Sequence, residues 1–425
     1  MKDRHSIVIL HLTAVETGGA ADFTFNLHRS LLEKGYRSYV AAAGNRIITP
    51  EGPSIAISRS KKTLWVRLQR KLRRKYYSNH TPYVNPKYAG HNLSERIMEC
   101  NPDDLVKALP ETPDFILVHW VSGYANAKYV SLLQKQTHAK VFYMMVDEAL
   151  LSGGCHYPWD CKGIANGCKN CPMVDSSVLK SAIRLNFLYK QAYLTKDRNV
   201  ILPTEFDRIR LEHSKLWKHA QWHKQLETID ENLFSPVNDK SVLKSQFGIP
   251  ADKKVVFMGS ANLNEIRKGM SVLVEAVPLV KHKDIVYLVA GRQNVFSEMQ
   301  NVVFIGHVLM ETLAKAYQAA DVFVCPSLED SGPQMLNMAV MSGVPSVAFP
   351  VGSALDLIKT GETGYLASFG SSSDLAAGID YLLDISTVDY EKMSSNCRNL
   401  ALKLFSREAT MRFYNALFLG QTDKS

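Results

Sequence analysis

Short apolar runs alternate with longer amphipathic segments in the first half of the chain. The runs SIVILHL and SYVAAAG have the length of buried strands, and the segment between them, GAADFTFNLHRSLLEKG, has the period of a helix that ends at Gly35. The runs DFILVHW, KVFYMMVD and NVILPT predict three further strands. Short strands that are apolar on both faces and separated by helices indicate a parallel sheet that is covered on both sides.

The second half repeats this pattern. Strands are predicted for KVVFMGS, IVYLVAG, NVVFIGH, DVFVCPS and PSVAF, and they alternate with helices predicted for GMSVLVEAVPLV, ETLAKAYQAA and GPQMLNMAVMSG. A last helix, SREATMRFYNALFLG, begins after a Ser406 cap. The pattern therefore predicts an α/β chain of two doubly wound, Rossmann-like domains.

The domain boundary is expected in the polar, Pro-containing stretch ETIDENLFSPVNDK. We place the first domain at 1–228, with an insertion at 150–174, and the second at 229–405. The helix in 406–425 is expected to pack back on the first domain. Ligands of doubly wound sheets bind outside the carboxyl ends of the strands, so we expect the active site in a cleft that the two domains face.

The excess positive charge lies in one segment. The chain of 425 residues has 50 Lys and Arg against 41 Asp and Glu. Nine of the basic residues lie between Arg59 and Lys75, a stretch without an acid, and without it the balance is 41 (50 − 9) against 41. Apolar residues recur there every four positions, at Leu64, Leu68, Leu72 and Tyr76.

This spacing predicts a basic amphipathic helix over 59–77 that lies on an anionic membrane surface. A solvated helix on the edge of the domain would give the same pattern. A third interpretation of the basic segment is nucleic-acid binding. No nucleic-acid-binding motif occurs in the rest of the chain, so we do not expect nucleic acid to bind. No apolar run approaches the roughly 20 residues of a membrane span, and the start of the chain reads as a buried strand rather than a signal peptide. We expect a cytoplasmic protein that is peripheral to the inner face of the cell membrane.

Four cysteines cluster in the stretch GGCHYPWDCKGIANGCKNCP, at Cys155, Cys161, Cys168 and Cys171. Thiols stay reduced in the cytoplasm, which disfavours disulfides. The terminal C-x2-C suggests a structural zinc site, with His156 as a further ligand, although the first pair is spaced too widely for a standard knuckle. The alternative is four unligated thiols that pack a compact loop.

Three loops have the chemistry of anion or sugar sites. Gly18 and Gly19 follow the first strand and open a helix, where they allow a ligand to approach the backbone or simply make a tight turn. Arg267 and Lys268 precede a helix, where two cations would clamp a diphosphate or form an exposed basic loop.

The third loop follows the strand DVFVCPS. Ser331, Gly332 and Pro333 lead into a helix whose backbone N–H groups would face phosphate oxygens. Glu329 and Asp330 beside them would accept hydrogen bonds from sugar hydroxyls, or a residue of this loop would merely cap the helix.

These motifs resemble a known family. The segments RKGMSVLVEA, GHVLMETLAKAYQAADVFVCPSLEDSGPQMLNMAVMSGVPSVAF and GSALDLIKTGETGYLA, within 267–367, look like the donor-binding half of the family 4 retaining glycosyltransferases, which have the GT-B fold. TAVETGGAADFTFNLHRSLLEKGY and FILVHWVSGY resemble the acceptor-side half. The Cys-rich stretch is similar to an insertion in a bacterial polysaccharide-building subgroup.

The resemblance implies roles for individual residues. Lys268 matches the lysine that neutralises the nucleotide diphosphate, with Arg267 as a substitute for an absent arginine. Asp330 matches the first acid of a Glu-x7-Glu motif, which contacts the transferred sugar with Glu329 beside it. The second acid, which would hold the ribose, is replaced by Met338. His119 matches a histidine near the reacting centre.

Together these features imply a retaining glycosyltransferase that uses a nucleotide-sugar donor and a glycan or lipid-linked acceptor. Asp147, at the end of a strand, is expected at the acceptor with Gly18 and Gly19. No Asp-x-Asp metal motif is suitably placed, so catalysis is expected to need no cofactor, with zinc only structural. The departure at Met338 leaves two alternatives: a non-catalytic GT-B binding or scaffold subunit, and a GT-B nucleotide-sugar epimerase.

Overall fold

The chain divides into two compact units. Unit 1 comprises Met1–Leu202, Asp207–Lys224 and Phe413–Ser425, and unit 2 comprises Pro203–Phe206 and Gln225–Arg412. The computed structural model of the chain describes residues 3–43, 46–49, 52–55, 71–72, 75, 84–88, 91–292, 296 and 299–420.

Unit 1 is built on an eight-stranded sheet in the order β4-β3-β2-β1-β5-β6-β7-β8. Neighbouring strands are parallel, except that β3 pairs antiparallel with both β2 and β4. That edge is a departure from the predicted all-parallel sheet. The strands are β1 Val8–Leu12, β2 Arg37–Ala42, β3 Arg46–Thr49, β4 Gly52–Ile55, β5 Phe115–Val118, β6 Lys140–Met144, β7 Asn199–Leu202 and β8 Gln221–Lys224.

The central strands of unit 1 are apolar because both faces of the sheet are covered. Every residue of β1 and β7 is buried, whereas β8, at the edge, is mostly exposed. Between residues 19 and 213, the helices whose bounds lie within the described residues are α1 Gly19–Glu33, α2 Pro102–Ala108, α3 Ala127–Thr137, α4 Gly163–Asn166, α5 Ser177–Tyr193 and α6 Glu205–His213. Helix α1 ends where predicted, since Gly35 adopts a left-handed φ of 85° that a residue with a side chain rarely adopts.

Unit 2 is built on a six-stranded parallel sheet in the order β11-β10-β9-β12-β13-β14. Its strands are β9 Lys254–Asn262, β10 Ile285–Arg292, β11 Val302–Gly306, β12 Val322–Cys325, β13 Ser346–Ala348 and β14 Gly364–Leu366. The remaining helices are α7 Ser241–Gln246, α8 Met270–Ala276, α9 Met310–Ala319, α10 Gln334–Met341, α11 Ala354–Leu357, α12 Ser372–Asp384, α13 Thr387–Phe405 and α14 Arg407–Leu419.

The C-terminal helix α14 begins at the predicted cap, where the hydroxyl of Ser406 accepts a hydrogen bond from the Ala409 N–H. Its second half belongs to unit 1, where Tyr36 donates to Asn415 at 2.7 Å and Phe418 packs on Phe115 with ring centroids 4.6 Å apart. The chain passes from unit 1 to unit 2 after Lys224 and returns to unit 1 at Phe413, and the domain bounds expected from the sequence stay a prediction.

Candidate functional site

In unit 2, the loop after β9 and the loop after β12 are joined by backbone hydrogen bonds at the carboxyl ends of these strands. The carbonyl of Arg267 accepts hydrogen bonds from the N–H groups of Leu328 and Glu329, at 2.8 and 3.2 Å. Gly269, with a φ of 66°, approaches so closely that a Cβ there would lie 1.8 Å from the carbonyl oxygen of Pro326. Only glycine fits this approach, so the sequence forces the predicted basic loop against the predicted acidic loop.

The joined loops bring three predicted site residues into contact. The Lys268 Nζ lies 2.5 Å from Asp330 Oδ2, and an Arg267 guanidinium nitrogen lies 3.0 Å from the same oxygen. Burial disfavours the charged form of Asp330, but the positive charges of Lys268 and Arg267 outweigh it and hold the pKa of Asp330 below its ordinary value. The three side chains therefore form an ionised cluster, which we call the donor cluster.

The cations of the donor cluster are already partly neutralised. A second guanidinium nitrogen of Arg267 lies 2.8 Å from Glu265, so two acids, Glu265 and Asp330, face the two cations. The side chains of Lys268 and Arg267 are 19% and 14% exposed. A diphosphate would therefore compete with Asp330 for Lys268 rather than meet an unpaired cation.

The turn before α10 differs from the prediction. The helix begins at Gln334, after a Pro333 cap with a φ of −60°, so Ser331 and Gly332 lie before it. The backbone N–H of Gly332 binds Asp330, and the Ser331 carbonyl accepts from the Thr204 hydroxyl at 3.1 Å. The N–H of Gly332 thus binds the Asp330 carboxylate, and a phosphate contact at this turn stays a prediction.

Glu329 and Met338 are both buried in unit 2. Glu329 is 2% exposed, beside the donor cluster. Met338 is 5% exposed and belongs to the apolar core that includes Leu336 and Phe323. The residue in the place of the second acid thus packs with the core, and its contact with a ribose stays a prediction.

In unit 1, the turn between β1 and α1 has the predicted open backbone. Gly18 adopts a φ of 88° and caps α1, which begins at Gly19. No described heavy atom outside the adjoining chain lies within 4 Å of the position that a Gly18 Cβ would take. The backbone is therefore accessible here, and a ligand at the turn stays a prediction.

His119 follows β5 and is the end of a buried chain of hydrogen bonds. Its Nε2 lies 2.9 Å from Nδ1 of His11, whose Nε2 lies 3.1 Å from the Ser38 hydroxyl, and that hydroxyl lies 2.7 Å from Nδ1 of His28. Burial lowers the pKa of His119 to about 3 and that of His28 to about 4, and it also lowers the pKa of His11. All three imidazoles are thus neutral at pH 7.

Asp147 does not present a free carboxylate to an acceptor. It is 6% exposed, and its Oδ2 accepts from Trp120 Nε1 at 2.8 Å and from His156 Nδ1 at 2.6 Å. Its Oδ1 accepts from the Ala149 N–H at 2.8 Å. Sequence reasoning considered His156 only as a metal ligand and missed this pairing, because residues 120, 147 and 156 meet only through the fold.

The Cys-rich segment carries four free thiols, and a zinc ion there stays a prediction. Among the described residues, which include every cysteine, no group of three or more His, Cys, Asp or Glu is arranged to hold a metal ion. Burial raises the pKa of all four thiols, that of Cys168 to about 11. The sulfurs of Cys161 and Cys168 accept from the N–H groups of Gly163 and Gly153, both at 3.3 Å. The structural zinc and the unligated thiols that pack a compact loop both stay open interpretations of this segment.

The predicted membrane-binding helix over 59–77 lies outside the described residues, apart from Lys71, Leu72 and Lys75. These three side chains are exposed, and Leu72 is 60% exposed. Within the described ranges, no helix has both the length and the apolar character that crossing a membrane requires.

Sequence comparisons place part of unit 2 in a family. Residues 252–384 match the family model described as "Glycosyl transferases group 1". The N-acetyl-alpha-D-glucosaminyl L-malate synthase of Bacillus anthracis is 22% identical over 57% of this chain and 65% of its own length. The D-inositol 3-phosphate glycosyltransferase of Corynebacterium aurimucosum is 30% identical over 36% of this chain and 41% of its own length. The chain thus spans less than two thirds of these relatives.

Solved structures match almost the whole chain. A sucrose-phosphate synthase from Thermosynechococcus elongatus has a TM-score of 0.65 at 17% identity, over 98% of this chain and 100% of its own. Anabaena HepE in complex with UDP-glucose has a TM-score of 0.59 at 16% identity, over 97% of this chain and 99% of its own. The chain therefore has the predicted GT-B fold of two Rossmann-like units, and its residues 252–384 carry the sequence of the glycosyl transferases group 1 family.

Proposed function

We propose that the chain is a retaining glycosyltransferase of the family 4 type, which moves a sugar from a nucleotide-diphosphate donor to a growing polysaccharide or a lipid-linked oligosaccharide. The observation that carries the proposal is the donor cluster, since Arg267, Lys268 and Asp330 meet at the carboxyl edge of the unit 2 sheet. This is the edge where doubly wound sheets bind ligands, and it lies within the segment that matches the glycosyltransferase family.

The cluster suggests how the leaving group is stabilised. As the bond from the anomeric carbon to the diphosphate breaks, negative charge grows on the diphosphate, and preorganised cations stabilise that charge most effectively. Asp330 holds both cations in one place before the donor arrives. We propose that Lys268 and Arg267 then act without a catalytic metal, and that Asp330 and Glu329 face the transferred sugar.

The acceptor side of the proposal rests on unit 1. His119 and the open turn at Gly18 and Gly19 resemble the acceptor half of the family, and the Cys-rich segment resembles the insertion of polysaccharide-building members. Together with the basic segment 59–77, this favours a lipid-linked acceptor at the inner face of the cell membrane.

A second candidate is a GT-B binding or scaffold subunit without turnover. Met338, which packs with the core where the family has a ribose-binding acid, favours it. So does the neutralisation of Arg267 by Glu265 in the donor cluster.

Calorimetric titration in EDTA tests the proposal. UDP-glucose, UDP-N-acetylglucosamine and GDP-mannose are titrated into the wild type, Lys268→Ala and Lys359→Ala. Lys359 is the matched control, because its side chain is 72% exposed in a surface pair with Glu362. We expect at least one donor to bind the wild type and Lys359→Ala equally, and Lys268→Ala much more weakly. Equal binding to all three proteins would remove the donor cluster from the site.

A further inference from the structure

An open cavity in unit 1 is lined by groups that are typical of a sugar site. It has a volume of about 430 Å3. The residues that line it are His91, Asn92, Trp120, Ser122, Gly123, Asp147, His156 and Tyr157. Binding sites for small molecules commonly combine an aromatic surface with a few convergent polar groups. None of the described residues that line the cavity is Lys or Arg. The lining therefore favours a neutral, hydroxyl-rich ligand over a phosphate.

The hydrogen bonds of Asp147 fix the tautomer of His156. An ionised carboxylate can only accept, so the 2.6 Å contact places a proton on Nδ1 of His156. Trp120 Nε1 lies 3.3 Å from that nitrogen and 2.8 Å from the carboxylate. A protonated Nδ1 cannot accept, so the indole N–H binds Asp147. In the neutral ring, Nε2 of His156 then carries a lone pair.

The lone pair on Nε2 is weakly used within the protein. Its neighbour is the Ser122 hydroxyl at 3.4 Å, which is long for a hydrogen bond from a hydroxyl. A second acceptor or donor at the same cavity, Nδ1 of His91, is buried and has no hydrogen-bond partner in the described part of the chain. Because Nδ1 of His91 is buried, the nitrogen left for a ligand hydroxyl is Nε2 of His156.

The Cys-rich segment holds His156 in this position. Cys155 forms an antiparallel bridge with His91, and the Gly154 carbonyl accepts from the Asn92 N–H at 2.6 Å. The His156 carbonyl accepts from the Glu148 N–H at 3.0 Å. The Cys-rich loop thus fixes the backbone on both sides of the His156 imidazole.

We propose that this cavity binds a neutral sugar ring of the acceptor, and that Nε2 of His156 forms a hydrogen bond with one of its hydroxyls, which can either donate or accept. Asp147 is then a positioning residue that acts through His156, rather than the direct acceptor contact expected from the sequence. The inference rests on the proposed function for the identity of the ligand as an acceptor, but the sugar site itself can be tested without a donor.

The probes are methyl α-D-glucopyranoside, methyl α-D-galactopyranoside, methyl α-D-mannopyranoside and N-acetylglucosamine. Each is titrated into the wild type, His156→Gln, Asp147→Asn and Ser122→Ala, with saturation-transfer NMR as the readout of binding. We expect saturable binding of at least one sugar to the wild type. His156→Gln should weaken it roughly 3- to 10-fold, the effect of one hydrogen bond. Ser122→Ala, which leaves Nε2 unchanged, should bind at least as well as the wild type.

The Asp147→Asn variant distinguishes two roles of Asp147: positioning the His156 imidazole for the sugar, and stabilising the fold. Asp147 accepts from Trp120 and His156 through one oxygen and from the Ala149 N–H through the other, whereas an amide has only one acceptor oxygen, so one side of the new side chain must meet a donor. We expect the imidazole to be held less firmly, with a loss of sugar binding like that of His156→Gln and a change in the ¹⁵N spectrum of the imidazole. A variant with the wild-type melting temperature and this spectral change but unaltered sugar binding would overturn the proposal.

Two further outcomes are decisive. If none of the four sugars binds the wild type, or if all four proteins bind alike, the cavity is not a sugar site. The nucleotide-sugar titration is run on the same proteins, and all four should bind the donor equally. If the sugars bind as expected and no donor does, the sugar site stands and the proposed glycosyltransferase function fails.

Discussion

Replacing Asp330 by Asn removes the charge that holds the donor cluster together. The carboxylate accepts from Lys268 and Arg267 through one oxygen and also binds the Gly332 N–H. The amide has nearly the same shape and keeps one acceptor oxygen, so the substitution changes charge more than packing. Arg267 retains Glu265 at 2.8 Å, whereas Lys268 loses its carboxylate partner.

The magnitude follows from leaving one cation uncompensated. Breaking a buried ion pair from one side costs about 3–5 kcal/mol, because the remaining charge is buried without a partner. Lys268 is 19% exposed and Arg267 keeps a partner, so the lower end of about 3 kcal/mol applies. For a domain of the size of unit 2, this lowers the melting temperature by about 6–12 °C.

Differential scanning calorimetry without nucleotide or phosphate measures the effect on unit 2. Tryptophan fluorescence follows unit 1 separately, because all five Trp residues, at 65, 120, 159, 217 and 222, fall in unit 1. The matched control is Asp284→Asn, which breaks the surface pair with Lys253, where the acid is 73% exposed, and should leave the melting temperature nearly unchanged. If Asp330→Asn melts within 2 °C of the control, the donor cluster does not stabilise unit 2.

The pH dependence has a definite sign. The pKa of Asp330 in the folded chain lies below its unfolded value of about 3.9, so the unfolded state binds the proton more readily. The stabilisation is therefore fully present above about pH 5 and is lost as the pH falls through the folded pKa. The difference between wild type and Asp330→Asn should be constant from pH 6 to 8 and shrink in acid.

Three further substitutions test other parts of the account. Lys268→Ala should raise the activation free energy of donor turnover by about 3 kcal/mol, which lowers the rate roughly 100-fold, while Lys359→Ala should leave the rate unchanged. Met338→Glu should destabilise unit 2 by several kcal/mol, because it buries a carboxylate in the apolar core. Met338→Leu should cost less than about 1.5 kcal/mol. Equal melting temperatures of the two variants would contradict the core position of Met338. Charge reversal to Glu in the basic segment should release the protein from phosphatidylserine vesicles at moderate salt, and unchanged vesicle binding would refute the membrane prediction. The reversed residues are Arg70, Lys71, Arg73 and Arg74.

The sequence pattern predicted the central strands well and the edges poorly. β1, β9 and β12 are apolar on both faces, so each produces a run that is recognisable without its neighbours. β8, with the sequence QWHK, is mostly exposed at the sheet edge and has no such run. The antiparallel pairing of β3 with β2 depends on contacts between strands, which the pattern of one strand does not encode.

In the candidate site, too, some features were predictable from the sequence and others were not. The loop motifs located Lys268 and Asp330, because glycines and charges after strands are visible in the sequence. Their direct ion pair is a contact between residues 62 positions apart, and it depends on how closely Gly269 approaches Pro326. Helix α10 begins at Gln334 rather than at the predicted Gly332, and the Gly332 N–H binds Asp330, a contact that the loop sequence alone does not reveal.

Transfer of labelled sugar tests the central claim most directly. The purified chain is incubated in EDTA with each radiolabelled donor and with lipid-linked saccharides extracted from membranes of the organism that encodes it. The account predicts label in the lipid-linked fraction, an equal amount of released nucleotide, and loss of both with Lys268→Ala but not with Lys359→Ala. A donor that binds and is recovered unchanged would show a scaffold subunit. Label recovered in an epimeric sugar, whether free or still attached to the nucleotide, would show an epimerase. Either result would contradict sugar transfer.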